Sequence, residues 1–183
     1  MRMLWPALLL CAILSNGQDP APAGSSPLRF SGTVSAPMNG KQLLAHAEEA
    51  WRYSFGLEPG ARMEVDPGTN SIVGSARFNF RSQFLLGRNE TQGPIAYRVR
   101  VTILHGECRW TVDELKHTGN RSAMKGGRDL GLLTTDPRPE HALPGMSIMS
   151  SAKVWQDAKG QVGERIDAVR RVFEARLRLL TSQ

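Results

Sequence analysis

From Leu28 to Val34 apolar and polar positions alternate, with Leu28, Phe30 and Val34 on one side and Arg29, Ser31 and Thr33 on the other. A period of two marks a strand with one face buried and one in water. A helix is expected next. Leu43, Ala47, Trp51 and Phe55 recur every fourth residue, Asn39 supplies an N-cap, and Gly56 supplies a stop. GLEPGARMEVDPGTN then reads as a turn-rich link. Beyond it, SIVGSARFNF sets Ala76, Phe78 and Phe80 against Ser75, Arg77 and Asn79. Residues 95–104 repeat the pattern, with Ile95, Tyr97, Val99, Val101 and Ile103 opposed to Arg98, Arg100 and Thr102, and RWTV at 109–112 begins a further strand. Residues 119–150 carry Pro137, Pro139, Pro144 and several glycines with little periodicity, so they predict a long irregular connection. A closing helix follows from about Ser150 to Leu180, where Trp155, Val162, Ile166, Val169, Phe173, Leu177 and Leu180 keep a three-and-four spacing. Gly160 and Gly163 weaken its start, which places the firm part from Gln161 onward. The element order predicts an α+β fold: one antiparallel sheet of four to five strands with two helices on one face and the other face open.

Composition fits this picture: of 183 residues 40% are hydrophobic and 22% charged, enough apolar residues for one core. The start MRMLWPALLLCAILSNGQ changes it. A basic residue, an apolar run from Leu4 to Leu14 and small residues at Ser15 and Gly17 match a cleavable signal peptide over residues 1–17, which implies a secreted or periplasmic protein. Cys11 follows Leu10 inside the apolar run, which is not a lipoprotein pattern, and no segment is long enough to span a bilayer. QDPAPAGSSP at 18–27 reads as a flexible tether, leaving a single domain over 28–183. In the processed chain Cys108 is the one remaining cysteine, so no internal disulfide is expected.

The densest chemistry lies in LHGECRWTVDELKH, residues 104–117. A type II′ turn at Gly106-Glu107 pairs Ile103 with Trp110, Val101 with Val112, Thr102 with Thr111 and Arg100 with Asp113. His105 then lies opposite Cys108 at the tip, and His117 opposite Ala96. Nine residues of strand separate Cys108 from His117, on the order of 30 Å, whereas zinc ligands lie within about 2.4 Å of one ion. No metal or cofactor site is expected, Cys108 reads as a small core residue, and Glu114 as a solvated strand end. No phosphate loop, HExxH, CxxC or GxSxG occurs.

Lys and Arg outnumber Asp and Glu by 23 to 17, for a net charge of +6. The strand alternation concentrates arginine on the open face: Arg29, Arg77, Arg81, Arg98, Arg100 and Arg109, with Asp113 as the one acid. The planar guanidinium suits carboxylate, sulfate or phosphate, so the expected partner is an acidic glycan, a lipid headgroup or an envelope protein. Nucleic acid is disfavoured, because the same alternation turns every aromatic inward and leaves nothing for bases to stack on. The competing class is a hydrolase with a site where the 119–150 loop meets the sheet, using His141, Glu140 or Cys108.

The starting strand, the helix ending AEEAWRYSF, GSARFNF, the hairpin YRVRVTI…CRWTVDEL and the closing helix from Trp155 together resemble bacterial domain-of-unknown-function family 4468, a group of secreted or envelope proteins with a TATA-binding-protein-like fold. The resemblance covers about Leu28 to Leu180 and implies a curved antiparallel sheet backed by two helices. It implies no catalytic residues. The combined expectation is an exported, non-enzymatic binding or scaffolding module.

Overall fold

Alternation along the strands fixes which side of the sheet is buried, and the helices follow from it. The computed structural model describes residues 25–84 and 89–182; the expected signal peptide and residues 18–24 lie outside them. The strands are β1 (Phe30–Ser35), β2 (Arg62–Asp66), β3 (Ser71–Phe80), β4 (Gly93–Leu104), β5 (Glu107–His117) and β6 (Gly131–Leu132). The helices are α1 (Gly40–Arg52) and α2 (Ile148–Thr181). The sheet is antiparallel in the order β1-β5-β4-β3-β2, with β6 paired to β5. Ile72, Ala76 and Phe80 of β3, Val99 and Val101 of β4, and Trp110 and Val112 of β5 are buried together with Leu43, Ala47 and Trp51 of α1 and Val162, Ile166 and Phe173 of α2. Two glycines make room for the largest rings. A Cβ on Gly32 would lie 2.6 Å from the Trp110 indole, and one on Gly74 2.5 Å from that of Trp51.

Asn39 caps α1 as expected, its side chain accepting from the Lys41 N–H at 2.9 Å. The helix stops at Arg52, and Phe55–Leu57 form a separate 3-10 turn that contains Gly56. α2 covers the range its spacing predicts, and its firm part begins well before Gln161. Ser147 caps it by accepting from the Ser150 N–H at 3.1 Å, and both weak glycines lie inside it. The link between α1 and β3 is not only turns, because β2 pairs Arg62 with Ser75 and Asp66 with Ser71. RMEVD does alternate, but Pro59-Gly60 and Pro67-Gly68 on either side obscure so short an edge strand. Ser26 and Pro27, read as tether, are held by the chain at 133–135: the Thr135 N–H donates to the Ser26 carbonyl at 2.9 Å, and Pro27 bridges Thr134.

The hairpin register is corrected by two residues. His105 (φ 50°) and Gly106 (φ 77°) are the two central turn residues, so Leu104 meets Glu107, Ile103 meets Cys108, Val101 meets Trp110 and Val99 meets Val112. Two successive positive φ angles give a type I′ turn, whose twist matches the strands, and histidine tolerates the left-handed region better than most residues. None of the four expected pairs forms, and His105 lies in the turn rather than opposite Cys108. A shift by two keeps every side chain on its face, so the buried set survives. Further along, the register slips between Ala96 and Arg98 at a β-bulge centred on Glu114 (φ 56°). The inward residues change there from Cys108, Trp110 and Val112 to Leu115 and His117. His117 therefore lies opposite Ile95 rather than Ala96.

Candidate functional site

The outward residues form rows across the open face. Arg62, Ser75, Arg98 and Asp113 make one; Glu64, Val73, Arg100, Thr111 and Ser31 the next; Asp66, Ser71, Thr102, Arg109 and Thr33 the third. All six arginines expected to be accessible, Arg29, Arg77, Arg81, Arg98, Arg100 and Arg109, are exposed. Their surroundings divide them.

On β4 and β5 the arginines are matched by acids. Arg98 donates to the Glu114 carboxylate at 2.9 Å and Arg100 to the same oxygen at 3.2 Å, while a second Arg100 nitrogen lies 3.5 Å from Asp113. The expected Arg100–Asp113 ion pair thus forms, diagonally rather than directly across the strands. Glu114 is no solvated strand end, because the bulge swings its carboxylate over both arginines. Arg109 donates to Glu107 from Nε at 3.0 Å and from Nη2 at 2.8 Å. The face also carries Glu64 and Asp66 from β2, so Asp113 is not its one acid. Asp66 accepts from the Gly68 and Thr69 N–H groups and from the Thr69 hydroxyl, and the Thr69 hydroxyl bond above all lowers its pKa.

Toward β2 and β3 the matching ends. Arg62 and Arg77, and Arg81 just past the end of β3, form no ion pair with any described residue. Arg77 is also braced. Gly60 (φ 66°) brings its backbone under the guanidinium, where a Cβ would lie 3.2 Å from Nε. Ser75 and Asn79 alternate with Arg77 on the same side. Arg29, at the far side of the sheet, makes one long contact to the Thr111 hydroxyl at 3.4 Å. Sequence reasoning missed Arg62 with the rest of β2; the alternation of RMEVD was the signal that could have found it.

The hydrolase residues do not come together. Cys108 is fully buried in the core, where desolvation pushes its thiol up to about 12, so it holds no thiolate near neutral pH. His117 is buried as well. Its Nε2 bonds the Thr91 carbonyl at 2.9 Å, its Nδ1 accepts from the Leu130 N–H at 3.1 Å, and its ring stands edge-on to Phe80. Desolvation lowers its pKa, keeping the ring neutral, and it serves to tie the 119–150 connection to β5. His141 and Glu140 approach to 3.8 Å at the rim of a cleft of about 640 Å³, also lined by Asp129, Asp136, Pro139 and Trp155, yet both side chains are almost wholly in solvent. Among the described residues no group of three His, Cys, Asp or Glu side chains could hold a metal ion, and no helix is long and apolar enough to cross a membrane.

A further polar cluster lies under the helices. Buried Glu58 accepts from Arg165 Nε at 3.0 Å and Nη2 at 2.5 Å, which joins the end of the 3-10 turn to α2 and raises the Arg165 pKa. Tyr97 lies beside this pair without a hydrogen bond of ordinary geometry, and desolvation, with the Glu58 charge, raises its pKa so that the phenol stays protonated. The cluster is structural.

An antiparallel sheet backed on one side by two helices, with its charged face free, defines an α+β module whose accessible surface is the sheet. The arrangement is similar to that of a TBP-like protein from Parabacteroides distasonis, 11% identical over 85% of this chain and 96% of that one, with a TM-score of 0.52. A DUF4468 family protein from Bacteroides ovatus is 16% identical over 86% of this chain and 91% of its own, with a TM-score of 0.49. No protein-family profile and no curated protein matches the chain. The fold is TBP-like, as the sequence resemblance implied, and identities this low carry no site residue across.

Proposed function

We propose that the protein is an exported, non-enzymatic binding or scaffolding module that holds an anionic partner on the β2–β3 side of its open sheet face. The observation that carries this reading is the uneven pairing of the arginines. Those on β4 and β5 are matched by Glu107, Asp113 and Glu114, whereas Arg62, Arg77 and Arg81 present guanidinium groups to solvent with no acidic partner among the described residues. A planar donor fork braced over Gly60 beside Ser75 and Asn79 suits a carboxylate, sulfate or phosphate group. Acidic glycans, lipid headgroups and acidic patches of envelope proteins all carry such groups. Among the described residues the open face carries no aromatic platform, which disfavours nucleic acid.

The test is retention on an immobilised sulfated polysaccharide as salt is raised. Arg77→Gln or Arg62→Gln should weaken binding by about tenfold, and Arg109→Gln, an equal loss of charge from an ion-paired position, should change it little. Equal loss in all three variants reduces the effect to net charge and refutes the site. The hydrolase alternative rests on the cleft beside His141. Its test is hydrolysis of ester or glycoside substrates that disappears in His141→Ala.

A further inference from the structure

The buried stripe of α2 accounts for one side of that helix only. On the other side Ala168, Val172, Ala175 and Leu179 are all exposed, at spacings of four, three and four residues. That is a second apolar stripe, turned away from the sheet. Val172 is 49% exposed and Leu179 51%, and beside the stripe Tyr53, the residue that follows α1, is 55% exposed. Arg176 closes the gap between them, its guanidinium 4.8 Å from the Tyr53 ring centroid while it also pairs with Glu49 at 2.5 Å.

We propose that this face is a self-association surface, on which α2 of a second copy of this chain packs antiparallel. Three observations select that occupant. The stripe is self-complementary: with a two-fold axis between Val172 and Ala175, Leu179 of each copy covers Ala168 of the other, and Val172 covers Ala175. Every large residue then meets a small one, whereas a parallel copy would place large on large and small on small. The small end also has a receptacle, because Ala168 borders a groove of about 460 Å³ lined by Pro59 and Phe78 together with the polar Asn79, Gln161, Glu164 and Arg165. Finally, the surrounding arginines are already neutralised, Arg165 by Glu58, Arg171 by Asp167, Arg176 by Glu49 and Arg178 by Glu174. An apolar strip with an ion-paired rim has the anatomy of a protein interface and lacks the free positive charge that draws a helix to an anionic membrane. This inference does not rest on the sheet-face reading.

Sedimentation equilibrium of the purified full chain tests it. A single helix pair is a small interface, so a monomer–dimer equilibrium with Kd on the order of 10 µM is expected. Val172→Arg should weaken dimerisation by about a hundredfold, and Ala168→Leu, which fills the receptacle, by about tenfold; both are exposed helix positions whose thermal unfolding should not move. Arg77→Glu, on the sheet, should leave the dimer intact, which keeps this test separate from that of the anion site. A monomer at all concentrations up to about 300 µM, a dimer untouched by both α2 variants, or a monomer that instead binds anionic phospholipid vesicles through this face would overturn the proposal.

Discussion

At the scale of single residues, the histidines divide by environment rather than by sequence company. His105 occupies a turn position with positive φ, His141 stands in solvent, and His117 is locked between the Thr91 carbonyl and the Leu130 N–H. Burial holds the His117 imidazole below the usual 6.5, so the unfolded chain binds a proton that the folded one refuses. The sign follows: the stabilisation is complete above about pH 6.5 and is lost as pH falls below it, by at most about 1.4 kcal/mol per pH unit. Urea unfolding between roughly pH 5 and pH 8 should show this slope, and His117→Gln should flatten it. His117→Ala, which leaves the buried Leu130 N–H without its acceptor and opens a cavity beside Phe80, should cost about 3 kcal/mol or more at neutral pH. A slope unchanged by either substitution would assign the acid sensitivity to other groups.

Among the elements, α2 keeps the span its spacing predicts, about Ser150 to Leu180 against Ile148–Thr181, and firms up the part the glycines weaken. Gly160 and Gly163 argue against helix at its start, yet the helix runs through both, because Val154, Trp155 and Ala158 before them and Val162 after them are buried against the rest of the core. Tertiary burial outweighs a local propensity cost of about 1 kcal/mol per glycine. A Cβ at either position would meet nothing within 4 Å, so Gly160→Ala and Gly163→Ala should each raise stability by about 0.5–1 kcal/mol in thermal unfolding. A loss of stability would mean that α2 is not continuous there. The strand faces were legible because alternation alone decides them, which is why an error of two residues in the hairpin register left the buried set intact. The turn itself was harder to read, since a histidine with positive φ carries no glycine signal. Illegible for the same reason was the bulge: nothing in VDELKH marks Glu114 as left-handed, and the pairing of Arg98 and Arg100 with it depends on that one dihedral. β2 was hidden by the prolines and glycines at both its ends.

For the molecule as a whole, the two covering helices leave one sheet face to water, and the balance of charge on that face decides what it can hold. Arginines that look alike in sequence differ in the fold: Arg98, Arg100 and Arg109 are answered by neighbouring acids, while Arg62, Arg77 and Arg81 have no such partner among the described residues. If the chain pairs through α2, the two sheet faces point outward and the module becomes bivalent, so that a repeating anionic partner would be held more tightly than either face alone can manage. The most direct measurement is a backbone amide NMR titration with inorganic sulfate at low ionic strength. The account predicts saturable shifts concentrated at Gly60, Arg62, Ser75, Arg77 and Asn79, abolished in Arg77→Gln. Shifts centred on Arg98, Arg109 and Glu114 or on the cleft at His141, or small drifts spread evenly over the surface, would contradict it.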